Sequence, residues 1–335
     1  MSDSSLDAHY KMVLKGFVDG RVVPFLGAGV NLCGRPEGVA SQKGKYLPSG
    51  SELAKLLADD FGYFSEGQEV ECPHCHENHR ITYPLDLLRV AQHIAVMTGS
   101  GPLYDELRKL FDADYPPTAL QTFFATLPAV MRAKQLPPRY QLIVTTNYDD
   151  VLEQSFEQAN EPYDLVAYMA DGEHRGKFWH WSPDGTNNIV DKPNEYKEVS
   201  TEKRPVILKI HGAVDRATGE RDSYVITEDH YIDFLTRTDI SNLVPVLLAA
   251  KMRRSHFLFM GYSLRDWNLR VILHRIWGEQ KLSYKSWAVQ LNPQELDLRF
   301  WLKRDVDILN VRLEEYIAAL NKYVQELPPG EVRDE

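Results

Sequence analysis

The N-terminal stretch LDAHYKMVLKGFVDG sets apolar side chains at helical spacing up to Gly20, which predicts one amphipathic helix stopped by that glycine. The following VVPFL carries no polar side chain and predicts a short buried strand. From there to Gln141 the patterning is mostly helical. SGSELAKLLADDFGY opens on a serine suited to capping, and PLDLLRVAQHIAVM opens on Pro84, expected in a first turn. Further helical pieces fall around 103–112 and 117–134, and the polar stretch EGQEVECPHCHENHR separates SGSELAKLLADDFGY from PLDLLRVAQHIAVM.

Beyond Gln141 strand and helix alternate. QLIVTT, PVILKI, HFLFM, KSWAVQL and DVDIL predict strands. NYDDVLEQSFEQAN, TEDHYIDFL, LVPVLLAAKMRR, SLRDWNLRVILHRIW, NPQELDLRFWLK and VRLEEYIAALNKYVQEL predict helices. Uninterrupted apolar strands alternating with helices imply an α/β fold, a Rossmann-like, doubly wound and mostly parallel sheet covered on both faces. One domain over 1–335 is expected, with two insertions. The first, 33–140, is mainly helical, carries the Cys/His segment and forms a smaller cap; the second, 160–203, is irregular. The chain shows no internal repeat and no low-complexity tract.

Composition narrows the function classes. Hydrophobic residues make up 43% and charged residues 26%, ordinary for a globular protein. The formal net charge of −10, with no long Lys/Arg run, argues against nucleic acid as a direct ligand. No apolar run is long enough to span a bilayer, and MSDSSLDAHYKMVLKGF lacks a signal-peptide pattern, so a cytoplasmic location is expected. Three cysteines, Cys33, Cys72 and Cys75, cannot form a disulfide framework, in keeping with a reducing compartment.

Four of the expected strands end in a similar way. VVPFL runs into Gly27-Ala28-Gly29, LIVTT into Asn147-Tyr148-Asp149, VILKI into His211-Gly212, and FLFM into Gly261-Tyr262-Ser263. In an open parallel sheet the carboxyl ends of strands face the ligand crevice, so these groups converge if the strands are parallel. Bare glycines let backbone amides approach a phosphate, and Gly212 lets the chain turn sharply beside His211. Structural readings stand beside these. The GAG turn lacks the full G-x-G-x-x-G spacing, and a tight strand-to-helix turn is its other, less favoured reading; no P-loop is present. His211 fits a core histidine donating to a carbonyl, Asn147 fits a helix cap, and Asp149 fits a first-turn acid.

FLGAGVN, TTNYDDVLE, KIHGAVD and FMGYSLRDWNLR, in that order, resemble the sirtuin superfamily, most closely its prokaryotic sirtuin-like branch found in anti-phage defence. The resemblance implies NAD as substrate, with Gly27, Ala28 and Gly29 at its phosphates. It implies that Asn147 positions the nicotinamide ribose or an attacking water and that Asp149 holds the nicotinamide carboxamide. His211 becomes the general base, Gly261 and Ser263 contact the adenosine half, and Asn31 and Thr146 join the cofactor contacts. A histidine with a pKa near ambient pH suits that role. Where protein-deacylating relatives carry S-G-I-P-D-F-R this chain has NLCGRPEGVA, and no F-G-E-x-x-P-like peptide-pairing segment is seen. Water is then the expected nucleophile and NAD hydrolysis the expected activity, in a defence effector restrained through a homo-oligomer or a ring-shaped ATPase partner. An NAD-dependent protein deacylase and a non-catalytic NAD or ADP-ribose sensor are the alternatives.

The segment CPHCHENH gives Cys72 and Cys75 the spacing of a zinc knuckle, with His79 or His76 as a third ligand and Cys33 as a distant fourth. A solvated loop with two free thiols is the other reading, and any zinc there is expected to be structural. Leu313, Ile317, Leu320 and Val324 form a stripe on the closing helix, suited to core packing or, less so, to a partner.

Overall fold

A computed structural model describes residues 3–63, 68–71, 74–81, 83–236, 244–262 and 284–330. In chain order it runs α1 (Asp3–Val18), β1 (Val22–Leu26), α2 (Gly50–Phe61), β2 (Gln68–Glu71), β3 (Asn78–Ile81), α3 (Leu87–Thr98), α4 (Ser100–Phe111) and α5 (Ala119–Ala133). There follow β4 (Leu142–Thr145), α6 (Val151–Gln158), β5 (Asp164–Tyr168), β6 (Phe178–Trp181), β7 (Asn187–Val190), β8 (Val206–Lys209), α7 (Glu228–Thr236) and α8 (Val246–Arg253). The chain then adds β9 (His256–Met260), β10 (Ser286–Val289), α9 (Glu295–Leu302), β11 (Val306–Leu309) and α10 (Leu313–Gln325). The helix expected over SLRDWNLRVILHRIW, together with Ser263 and Cys72, lies outside the described residues.

Nine strands form one sheet in the order β11-β10-β9-β1-β4-β8-β5-β6-β7. All neighbours from β11 to β5 are parallel, and β6 and β7 close the edge antiparallel. This is the α/β sheet that the alternating pattern predicted. Its central strands read as continuous apolar runs because each face is covered. Val23, Phe25, Val144, Leu208 and Phe257 pack with Leu248 and Met252 of α8 and Trp301 of α9. Val22, Ile143, Ile207 and Leu258 pack with Phe17 of α1, Phe124 of α5, Phe156 of α6 and the α10 stripe. Ile317, Leu320 and Val324 of that stripe are buried, which assigns it to the core.

The stretch 160–203, weakly patterned in sequence, contributes β5, β6 and β7. β5 lies against β8, so this segment extends the main sheet. Pro24 sits in the middle of the sheet, where a missing donor is normally costly. Pairing of β1 with β4 begins only at Phe25, past the proline.

A third apolar cluster joins α2, α3 and α4 through Leu53, Leu57, Val90, Ile94, Leu103 and Leu107 to Val214, Tyr224 and Ile226 of the loop after β8. These helices are moored to that loop by charge. Arg108 pairs with Asp222 at 2.9 Å, and Arg216 reaches Asp112, Asp114 and Asp150. Pro84 lies ahead of α3 and not in its first turn, because Asp86 takes the cap and accepts from the Arg89 amide at 3.3 Å.

Candidate active site

Register explains why the four strand ends meet. Leu26 pairs with Thr145 on one side and with Met260 on the other, and Thr145 pairs with Lys209. Their successors therefore leave one edge of the sheet at one level. They border a cavity of about 470 Å³, a volume typical of small-molecule sites. Ala28, Gly29, Asn31, Thr146, Asn147, Asp149, His211 and Gly261 all line it; Gly27 does not. The helical segment supplies the facing wall through Pro48, Ser49, Gly50, Ser51, Leu53, Leu87 and Phe111.

The start of α2 is fixed on that wall by a reciprocal cap. Ser49 accepts from the Glu52 amide, and Glu52 accepts from the Ser49 amide at 2.8 Å. Glu52 also receives the Arg35 guanidinium and the Ser41 amide. Burial works against its charge, but these hydrogen bonds, from Ser49 first, hold its carboxyl down at about 2.

His211 and Asn147, the two residues expected from sequence to be catalytic, both line this cavity. His211 is 5% exposed; its Nδ1 lies 3.3 Å from the Tyr231 hydroxyl, and its buried Nε2 has no partner among the described residues. Burial pushes the imidazole pKa down to about 3, so the ring is neutral at ordinary pH and does not sit near it as expected from sequence. Gly212 makes the position possible. Its φ is +89°, and a Cβ there would stand 2.1 Å from the Ser223 carbonyl oxygen. Asn147 does not cap α6. Its amide donates to Thr145 Oγ1 at 3.0 Å, while its buried side-chain Oδ1 has no partner among the described residues. A buried polar atom left unpaired is costly, and these two belong to residues that line one cavity.

Asp149 has a double role. Its Oδ1 accepts from the Val151 amide at the start of α6, and its Oδ2 accepts from Asn31 Nδ2 at 2.9 Å. Each oxygen keeps capacity for another donor. Burial raises its pKa, against the pull of Lys209 and these hydrogen bonds. Asn31 in turn accepts from Gln121 Nε2 at 3.1 Å, so both its polar groups are engaged within the protein. Beneath Asp149, Lys209 Nζ meets the Asp149 carbonyl and Glu153 Oε1, a buried cation fixing the loop from below.

The glycine turn is built differently from the simplest phosphate-binding loop. The Gly27 amide donates to the Met260 carbonyl, Gly29 to Gly261 and Val30 to Gly27. Cβ atoms at Gly27 and Gly29 would each come within 2.7 Å of the Gly261 oxygen. These glycines let two strand-end loops touch backbone to backbone, which uses two of the turn's amides, and a third is used within the turn. Gly29 and Gly261 still present a side-chain-free wall to the cavity.

Tyr231, Tyr262, Tyr148 and Ser49 at the α2 start also line the cavity, a place the sequence did not assign to their side chains. Tyr262 follows Gly261 directly, and its hydroxyl lies 2.7 Å from Thr146 Oγ1, so adjacency to a strand end was its signal. Tyr231 arrives from α7 and had none. The cysteine segment is a hairpin of β2 and β3. Cys75 Sγ lies 3.1 Å from His79 Nε2, and Cys75, Glu77 and His79 offer ligand atoms within 4.8 Å of one another, all exposed. Cys33 is buried in the core, its thiol pushed up to about 11 by burial, and is unsuited to join that exposed cluster.

The orphaned Asn147 and His211 atoms, the spare capacity of Asp149 and the bare glycine wall suit a dinucleotide carrying ribose hydroxyls and a carboxamide. No curated protein matches the chain. The model of the SIR2-like domain matches residues 141–309, from the threshold of β4 to the end of β11, half of the chain. The sheet order, the cavity at its carboxyl edge and this match agree, and the chain belongs to the SIR2-like domain family, with the NAD-related function that membership carries.

Proposed function

We propose that this protein hydrolyses NAD, adding one water across the nicotinamide–ribose bond to give nicotinamide, ADP-ribose and a proton. The observation that carries the reading is that Asn147 and His211 line one cavity from separate strand ends, with Asn147 Oδ1 and His211 Nε2 unpartnered among the described residues. Bound NAD supplies a cationic ring whose nicotinamide leaves neutral, so the site needs no acid for the leaving group. With its Nδ1 proton given to the Tyr231 oxygen, His211 turns the Nε2 lone pair toward a water or ribose hydroxyl and accepts its proton. Asn147 orients that hydroxyl or water from the other side, and Asp149 takes the carboxamide donor. The apolar Leu53, Leu87 and Phe111 limit bulk water.

The enclosing α2 wall and the missing peptide-pairing segment support water over an acylated peptide as co-substrate. The four-motif resemblance to defence proteins supports a cytoplasmic effector that depletes NAD on phage infection, restrained by self-association or a ring-shaped ATPase. Among the described residues no helix is long and apolar enough to cross a membrane. The Cys75–His79 hairpin supports a structural zinc, with Cys72 as the further thiolate.

The test is nicotinamide release by wild type, Asn147→Ala and His211→Ala, with and without an acylated peptide. Release independent of peptide and lost in both variants is expected. Release that requires the peptide would assign deacylation, and tight NAD binding without release would assign a sensor.

A further inference from the structure

A second cavity, of about 660 Å³, opens at the other end of the sheet. Arg21 stands directly before β1, Arg139 before β4, Ser200 to Glu202 before β8, Arg254 and Ser255 before β9, and Tyr284 before β10; all line it. This is the amino edge of the parallel strands. The five residues of β1 alone put about 16 Å between it and the catalytic edge.

Four cationic residues line it: exposed Arg21, Arg139 and Arg254, and partly buried Lys251. Among the described residues none of the four makes an ion pair. Two acids, Asp19 and Glu202, also line the cavity and leave the cations in excess. That is out of character for a chain with a net charge of −10. Lys251 is the centre. Burial, with Arg139 and Arg21 alongside, lowers its pKa, and Glu202 offsets this only in part. Gly20, with φ +63°, gives it room, since a Cβ there would lie 3.3 Å from Lys251 Nζ. Like charges gathered around a half-buried ammonium repel until an anion neutralises them. Arginine forks beside a lysine match phosphate oxygens.

We propose that this cavity is a binding site for a small phosphate-bearing anion of diphosphate size, separate from the catalytic cavity. Its volume admits a small molecule, and its lining from five strand approaches makes it part of the rigid sheet edge.

Inorganic pyrophosphate titrated into the full chain by calorimetry tests this, with sodium chloride at matched ionic strength as the blank. Wild type and Asn147→Ala are expected to bind alike and saturably, and Lys251→Gln/Arg254→Gln at least tenfold more weakly. Exposed Arg139→Gln repeats the comparison if the double variant loses its fold. No saturable binding above the blank, unchanged binding in the Lys251 and Arg139 variants, or binding lost in Asn147→Ala would each overturn the assignment.

Discussion

Among the described residues no carboxylate bonds to His211, the proposed base. Tyr231 is the neighbour at its Nδ1, and burial keeps the ring uncharged. Removing the imidazole by His211→Ala is expected to lower nicotinamide release by roughly 10²–10⁴-fold, the usual range for general-base assistance. Tyr231→Phe leaves Nδ1 without its acceptor and lets the ring rotate or change tautomer. It is expected to lower kcat more than it raises KM, and equal activity of the phenylalanine variant would remove tyrosine from the proposed role. The same burial has a stability consequence. His211 and His9, held at about 3 and about 4 mainly by burial, disfavour the proton in the folded chain relative to the ordinary 6.5. The unfolded chain binds more protons between those values, so the stability they contribute is complete above pH 6.5 and falls as the pH drops toward 3. Urea denaturation at several pH values should show a shallower acid loss for His211→Gln than for wild type; parallel curves would contradict this.

At the scale of elements, turns and caps decide where the functional groups stand. Gly212 joins β8 to the loop carrying Val214 and Asp222, and no Cβ fits between it and the Ser223 carbonyl. Gly212→Ala is expected to destabilise the fold by at least about 1–3 kcal/mol and to displace His211, read as a lowered Tm with activity loss. The Ser49–Glu52 box works on the opposite wall. Ser49→Ala should cost about 1 kcal/mol and raise KM, because the residues it anchors border the cavity. Below the site, Lys209→Met would strand the buried Glu153 carboxylate, which burial already pushes upward in pKa against the lysine's pull. A loss of about 3–5 kcal/mol is expected on chemical denaturation, as for other broken buried pairs. Part of this scale was legible beforehand. Ser49 as a cap and Gly212 as a turn were readable because both depend on a few adjacent residues. The role of Gly27 and Gly29 was not, since their neighbour is Gly261, more than two hundred positions away and adjacent only through strand pairing.

For the whole molecule, the helical segment and the sheet edge line one cavity. α7 carries Tyr231 and is tied to α3 by two hydrogen bonds between Gln92 and Asp229. The imidazole's neighbour is thus held from the cap as well as from the sheet. The hairpin of β2 and β3 stands apart, its cluster exposed. Chelation with EDTA is therefore expected to lower the Tm of zinc-loaded protein while leaving initial nicotinamide release unchanged; release abolished by chelator would move the metal into the chemistry.

The alternation of strand and helix, the doubly covered sheet and the polar character of four strand ends were written in the chain itself. Burial on two faces leaves an uninterrupted apolar run, and that is a local property of sequence. The convergence of those ends is not local. It follows from a strand order that sets β1 between β4 and β9 with matching register, and only the folded sheet supplies that. The same holds for the neutral state of His211, for Tyr231 beside it, and for the cations gathered at the far edge. Each depends on what distant segments exclude from water, and desolvation is a property of the packed molecule.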